Sequence, residues 1–224
     1  PFRGAIFYQG ESNVGDRLYG RLLPSLIADW RTRFAGAREA DWPFLMVQIA
    51  PFGYGGSPDA AAWVREAQRR TAASVPGCGL VVTTDVGARH DIHPIAKRPV
   101  GERLADLALA GTYGRDRGIV RSPEPVSIEF AGGEAIVRLA PVGEGLEIRG
   151  GSVASHWQIR GADGRWHRAD GRIEGDTVRL WSRVVTAAEA VRFGWGPSPE
   201  PNLFASTGLP VAPFTSEPMP GEKP

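Results

Sequence analysis

Apolar and polar residues follow two different rhythms along this chain. Up to about residue 114, continuous apolar runs of strand length alternate with stretches in which apolar residues recur at helical spacing. Beyond that point, short alternating or β-branched runs follow one another between turn dipeptides. The first rhythm is that of a parallel α/β sheet covered on both faces, the second that of an antiparallel β-module.

In the first part, residues 3–8 read as a short buried strand between Pro1 and Gly10. Leu18, Leu22, Leu23, Leu26, Ile27, Trp30 and Phe34 then mark a helical face. Pro24 interrupts it, which predicts a turn of helix up to Leu23 and a main helix starting at the proline, with Gly36 as the stop. Residues 43–50 form a second apolar run, followed by the Gly/Pro-rich loop 51–58 and an Ala-rich helix over 59–74. A third strand over 79–84 leads to Asp85, and a third helix is expected from about Pro94 to Ala110.

In the second part, strands are expected at 126–130, 135–139, 146–148, 157–159, 177–181 and 190–195. Gly132-Gly133, Asp163-Gly164 and Gly175-Asp176 supply turns. The stretch from Pro197 is rich in Pro and Gly, lacks periodicity, and reads as extended coil packed over the domain. Two units follow, residues 1–115 and 116–224.

Composition narrows the function. The chain has 224 residues, 42% of them hydrophobic, which is enough for a real core. A formal net charge of +1, with acids interleaved among the arginines, gives no basic stripe for nucleic acid. No apolar run approaches the length of a membrane span. A single cysteine, Cys78, excludes an internal disulfide and a cysteine-based zinc cage.

The candidate chemistry lies in two loops that follow strands, hence on one edge of the sheet, where open α/β proteins bind ligands. The first is Tyr8-Gln9-Gly10-Glu11-Ser12-Asn13. Here an Asn13 amide and backbone N–H groups can stabilise an oxyanion, or Asn13 and Gly15 can simply satisfy a turn. Ser12 lacks the setting of a nucleophile elbow and reads as structural, and the role of Glu11 is open. The second is His90-Asp91-Ile92-His93-Pro94, an acid two residues before a histidine. It reads as a base with its orienting carboxylate, as a cap before a helix, or, less well, as a metal site of His90 and His93 with Asp91 or Asp85. Trp157, Trp166, Trp181 and Trp195 fit a β core better than a sugar-stacking surface, and Arg69-Arg70 and Lys97-Arg98 read as solvated helix faces.

Several of these stretches together resemble the sialate O-acetylesterase family of the SGNH (GDSL-like) hydrolases. They are Ile6-Phe7-Tyr8-Gln9-Gly10-Glu11-Ser12-Asn13, Leu26-Ile27-Ala28-Asp29-Trp30-Arg31, Val47-Gln48-Ile49-Ala50-Pro51, Arg65-Glu66-Ala67-Gln68 and Asp91-Ile92-His93-Pro94. The likeness continues through Ala190-Val191-Arg192-Phe193-Gly194-Trp195, Asn202-Leu203, Gly208-Leu209-Pro210 and Pro213-Phe214. It implies a flavodoxin-like three-layer parallel sheet, of which this chain carries the C-terminal half, followed by a β-rich module.

By that resemblance the activity is hydrolysis of acetyl esters on sugars by a Ser-His-Asp mechanism, with no cofactor and no metal. His93 would be the base, Asp91 the acid with Asp85 in reserve, and Asn13 the oxyanion donor. Gln9, Gly10 and Glu11 would complete the oxyanion and substrate side. The wider superfamily often places the acid three residues before the histidine, where this chain has His90. The family's nucleophile serine precedes the Gln-Gly-Glu-Ser-Asn block, so the expectation is an esterase portion that lacks its serine and has little activity alone. Its partners would be an acetylated carbohydrate and the N-terminal part of the same protein, in an extracytoplasmic setting. The rival is a non-catalytic carbohydrate-binding or scaffolding protein derived from a hydrolase.

Overall fold

The computed structural model describes residues 2–36 and 42–221. Its first part is a parallel sheet of β1 (Ala5–Tyr8), β2 (Phe44–Val47) and β3 (Cys78–Val81) in the order β1-β2-β3. Tyr8 lies opposite Val47, and Val47 opposite Val81, so the three strands end level with one another. All the loops leaving those ends therefore emerge at one edge.

Helices α1 (Tyr19–Phe34) and α2 (Ala60–Ser74) cover one face of the sheet, and α3 (Lys97–Gly111) covers the other. The central strand β2 is buried throughout. Phe44 and Met46 face Ile27, Ala61 and Ala67, while Leu45 and Val47 face Val81, Val100 and Leu107. Burial on both faces is why this run lacks alternation. Gly79 lets α3 approach, since a Cβ there would sit 3.0 Å from Leu45 Cδ2 and 3.5 Å from Leu107 Cδ1. α3 packs over β2 and β3 but leaves β1 uncovered on that side, so Ile6 is 67% exposed.

One helix boundary differs from expectation. α1 begins at Tyr19 and carries Pro24 inside it. The carbonyl that the proline leaves without a donor belongs to Gly20. Residue periodicity, which places Tyr19, Leu23 and Ile27 on one buried stripe, prevails over the proline.

The second part is antiparallel. One sheet has the order β4 (Glu124–Ala131), β5 (Glu134–Ala140), β10 (Thr177–Trp181), β9 (Asp170–Glu174). A second has the order β13 (Phe214–Thr215), β11 (Ala188–Phe193), β7 (Trp157–Gly161), β8 (Trp166–Arg168), and β12 (Leu203–Ala205) pairs with β6 (Leu146–Ile148). The expected turns connect the hairpins, with Gly132, Gly164 and Gly175 at φ 57°, 72° and 68°. The inner faces meet in a core built on Trp157, Phe193 and Phe214 with Leu139, Ile159 and Leu180.

Four of these strands go beyond the sequence reading. β8 and β9 are short, polar edge strands with little apolar signal. β12 and β13 belong to the Pro/Gly-rich segment expected as coil, yet Leu203, Ala205, Val211 and Phe214 are fully buried. That segment completes the core rather than lying over it.

The β-module packs on α2. Trp195 meets Trp63 edge to face at 4.9 Å and donates from Nε1 to Asp59 Oδ1 at 3.0 Å. Arg69 and Arg70 are not solvated: both bind the fully buried carboxylate of Glu66 at 2.7 and 2.6 Å. Arg69 also reaches Glu124 of β4, and Arg70 the carbonyl of Glu217. Lys97 and Arg98, by contrast, are exposed as expected.

Candidate active site

The loop after β1 turns at once into a single 3-10 turn, Glu11–Asn13. Gly10 makes this possible with φ 143°, and it is buried so closely that a Cβ would meet Ile49 Cγ2 at 2.8 Å. Gln9 Nε2 donates to Asn13 Oδ1 at 2.6 Å, and Asn13 Nδ2 donates to Asp16 Oδ2 at 3.2 Å. An amide nitrogen carries two protons, so one Asn13 N–H remains for a ligand.

The loop is held from behind by α2. Gln68, 1% exposed, donates from Nε2 to the Gln9 carbonyl at 2.9 Å and accepts the Ile49 N–H on Oε1 at 3.0 Å. It thus fastens the loops after β1 and β2 to one another. Tyr19 adds a hydroxyl donor to the Gln9 carbonyl at 3.2 Å, and burial raises its phenol to about 12, so it stays protonated.

Glu11 acts on its surroundings by charge. Burial raises the Tyr54 phenol, and the Glu11 carboxylate raises it further, with Arg65 and Tyr8 also in electrostatic reach. Burial and then Glu11 raise Tyr8 in the same way. Arg65 is fully buried, and burial lowers it to about 10. Its guanidinium donates to the carbonyls of Gly196 and Pro197 in the β-module.

The loop after β3 reaches the same edge. Ala88 donates to the Pro51 carbonyl at 3.1 Å, and Gly53 donates to the Arg89 carbonyl at 2.8 Å. Lys97, four residues past His93, holds its Nζ 5.7 Å from the centre of the Tyr8 ring. Lys97 thereby sets the start of α3 beside Tyr8, at the end of β1 from which the Gln9 to Asn13 loop leaves.

The acid and the histidine meet through the backbone. Asp91 Oδ1 accepts the His93 N–H at 2.8 Å, and both residues are exposed. This turn fixes the loop without engaging the imidazole, whose nitrogens make no hydrogen bond to the described residues. Asp85 is committed elsewhere: Arg103 of α3 donates to its two oxygens at 2.8 and 2.5 Å. Among the described residues, no three His, Cys, Asp or Glu side chains converge to hold a metal ion.

The sequence reading did not assign roles to Gln68, Tyr19, Tyr54 and Arg65. A signal existed for two of them: Arg65 and Gln68 are polar residues three apart in an Ala-rich helix, in register with apolar Ala61 and Val64. Polar side chains on a buried stripe must be hydrogen-bonded, and here their partners are loop carbonyls and an amide.

No family model matches the chain. It is 31% identical over 153 residues to the sialate O-acetylesterases of Homo sapiens and Pongo abelii, a match covering 61% of this chain and 29% of each of those proteins. The Mus musculus sialate O-acetylesterase is 29% identical over the same length. In fold it is similar to a carbohydrate acetylesterase from Xanthomonas citri, with a TM-score of 0.89 and 38% identity over 97% of this chain and 51% of that one. The chain thus spans less than a third of the curated relatives it matches and about half of the solved structure. By sequence and by fold together, it is similar to sialate O-acetylesterases and to a carbohydrate acetylesterase, which supports a sialate O-acetylesterase, SGNH-like family.

Proposed function

We propose that this chain is part of a carbohydrate O-acetylesterase, contributing the base, the acid and the oxyanion side of its active site. The observation that carries this reading is the shared edge of the loops at 8–13 and 85–97, bridged by Lys97 and Tyr8, in a chain similar to acetylesterases in sequence and fold. The nucleophile serine comes from residues outside these 224. Ser12 is exposed on the 3-10 turn, and no hydroxyl of the described residues is hydrogen-bonded to His93. The sheet described above is then the C-terminal half of a larger one, consistent with the bare side of β1 at Ile6. Residues 1–115 form the esterase portion and 116–224 the module that buttresses it.

In the reaction, the serine Oγ attacks the acetyl carbonyl carbon while His93 accepts its proton. The free Asn13 N–H and backbone N–H groups of the Gly10 loop hold the tetrahedral oxyanion, and Gln9 fixes the Asn13 amide for that task. Glu11 lies on the substrate side. His93 then protonates the departing sugar hydroxyl, leaving an acetyl-serine. Water, deprotonated by His93, attacks this ester and releases acetate. Asp91 stabilises the charged imidazole.

Acetate release from a peracetylated or naturally acetylated sugar tests the reading. This chain alone should show little or none, and the protein extended by its serine-bearing segment should be active. His93→Ala in the extended protein should lower kcat by about a thousandfold or more. Full activity of that variant would remove His93 from the mechanism.

A further inference from the structure

The segment from Gly87 to His93 is tied to the rest of the described residues by backbone bonds at one place. Ala88 donates to the Pro51 carbonyl at 3.1 Å, and Gly53 donates to the Arg89 carbonyl at 2.8 Å. Its other bonds run along the segment itself. Asp91 N–H donates to the Ala88 carbonyl at 3.2 Å, and His93 N–H to Asp91 Oδ1 at 2.8 Å. The place of His93 is thus passed on from residues 51–53 in two local steps.

This clasp is backbone against backbone. A Cβ at Gly87 would stand 2.5 Å from Pro51 Cδ, and one at Gly53 would stand 3.0 Å from the Arg89 oxygen. Neither glycine has a positive φ, so it is close approach, not conformation, that calls for glycine at both positions.

Residues 51–53 are held in turn from the β-module. Phe52 N–H donates to the Pro197 carbonyl at 3.4 Å, a long bond that would hold little by itself. The same carbonyl accepts from Arg65 Nη1 at 3.4 Å, and Arg65 Nη2 donates to the neighbouring Gly196 carbonyl. Arg65 is fully buried, and a buried cation needs its acceptors, so these carbonyls are fixed in place. Its charge also acts on the Tyr54 hydroxyl, and the Tyr54 ring meets Phe52 edge to face at 5.0 Å.

We infer that Arg65 is a positioning residue for His93: through Pro197 it holds residues 51–53, and these clasp residues 87–89 and so set the His93 loop. That His93 is a base rests on the esterase reading; that Arg65 governs its loop does not. The role is separate from that of Gln68, on the same helix, which fastens the loops after β1 and β2.

Amide hydrogen exchange in this chain tests the inference without any activity. Arg65→Lys keeps the charge but loses the fork that spans two carbonyls. Gly53 and Ala88 should exchange about tenfold faster or more, while Leu139 in the module core and Ile49 on Gln68 stay unchanged. Gly196→Ala reaches the same carbonyls without touching the buried charge: its φ of 125° strains a side chain, yet the space around it is open. It should speed Gly53 and Ala88 about threefold or more. Gly87→Ala, which wedges the clasp directly, should do the same and shift the His93 ring resonances. Equal acceleration at all amides, or unchanged exchange at Gly53 and Ala88, would overturn the inference. In the protein extended by its serine-bearing segment, Arg65→Lys and Gly87→Ala should lower kcat about tenfold or more, with KM within about twofold. A loss carried by KM alone, or an unchanged kcat, would overturn it too. Full activity of His93→Ala would sink the esterase reading instead, and the exchange rates would still decide whether Arg65 holds the loop.

Discussion

Gln68 donates from its Nε2 to the backbone carbonyl of Gln9 at 2.9 Å. With its Oε1 on the Ile49 N–H, this single buried side chain fixes the spacing of two loops that leave adjacent strands. The Gln9 to Asn13 loop is thus positioned by a helix residue remote from it in sequence. Gln68→Ala would strand the buried Ile49 N–H and leave a void. Loss of about 2–4 kcal/mol of stability is expected by urea denaturation. Under the proposed function, kcat of the complete protein should fall more than KM rises, because the loop proposed to hold the oxyanion is mispositioned.

Gly10 is a second point where the loop has no slack. Its φ of 143° is a conformation that L side chains rarely adopt, and an added methyl would press on Ile49, Val64 and Gln68. Gly10→Ala should cost about 2 kcal/mol or more through strain and overpacking together. Thermal melting reads the cost. Gly15→Ala, with a positive φ but open space around it, should cost less.

Glu66 is a carboxylate with a fully buried side chain between Arg69 and Arg70. Removing Glu66 takes away the buried carboxylate that both guanidinium groups share, although Arg69 keeps Glu124. Glu66→Ala should destabilise by about 3–5 kcal/mol, and Glu66→Gln by less, since the amide oxygen still accepts. Denaturant titration of the two variants distinguishes them.

His156 gives a pH dependence. Its backbone is left-handed at φ 65°, Nδ1 lies 2.9 Å from Ser155 Oγ, and Nε2 receives the Glu200 N–H at 3.3 Å. Ser155 Oγ donates to Asn202, so Nδ1 is the protonated nitrogen and Nε2 the acceptor. A second proton would face the Glu200 N–H. Burial lowers the imidazole below its ordinary 6.5, against the pull of Glu200. The unfolded chain therefore binds the proton first as pH falls. The contribution of His156 is fully present above about pH 6.5 and is lost as pH drops through the interval down to the lowered folded value. Between pH 7.5 and 5, wild type should lose more melting temperature than His156→Asn, a residue that tolerates positive φ.

What the sequence made legible follows from what its residues must do alone. The parallel order of strands and helices, the His and Gly-Glu-Ser-Asn loops on one edge, and the hairpin turns each have a local signature in period, glycine or proline. The roles of Arg65, Glu66 and Gln68 are less legible: the register of Arg65 and Gln68 with apolar Ala61 and Val64 hints at burial, but a polar run in an Ala-rich helix looks solvated until another element closes over it. The strands at Leu203 and Phe214 were hidden for a related reason. Their apolar residues are isolated among prolines and glycines, and only the partner strands β6 and β11 reveal the pairing. Pro24 misled in the other direction, as a local rule outweighed by the burial of Tyr19, Leu23 and Ile27.

The guanidinium of Arg65 is anchored on two carbonyls that belong to the β-module. A cation so enclosed has no water to fall back on if those carbonyls leave. Trimming the chain after residue 115 would therefore do more than discard an appendage: it would bare a charge at the heart of the helix that clamps the Gln9 loop. The module is in this sense a keystone for the sheet edge from which the Gln9 loop leaves.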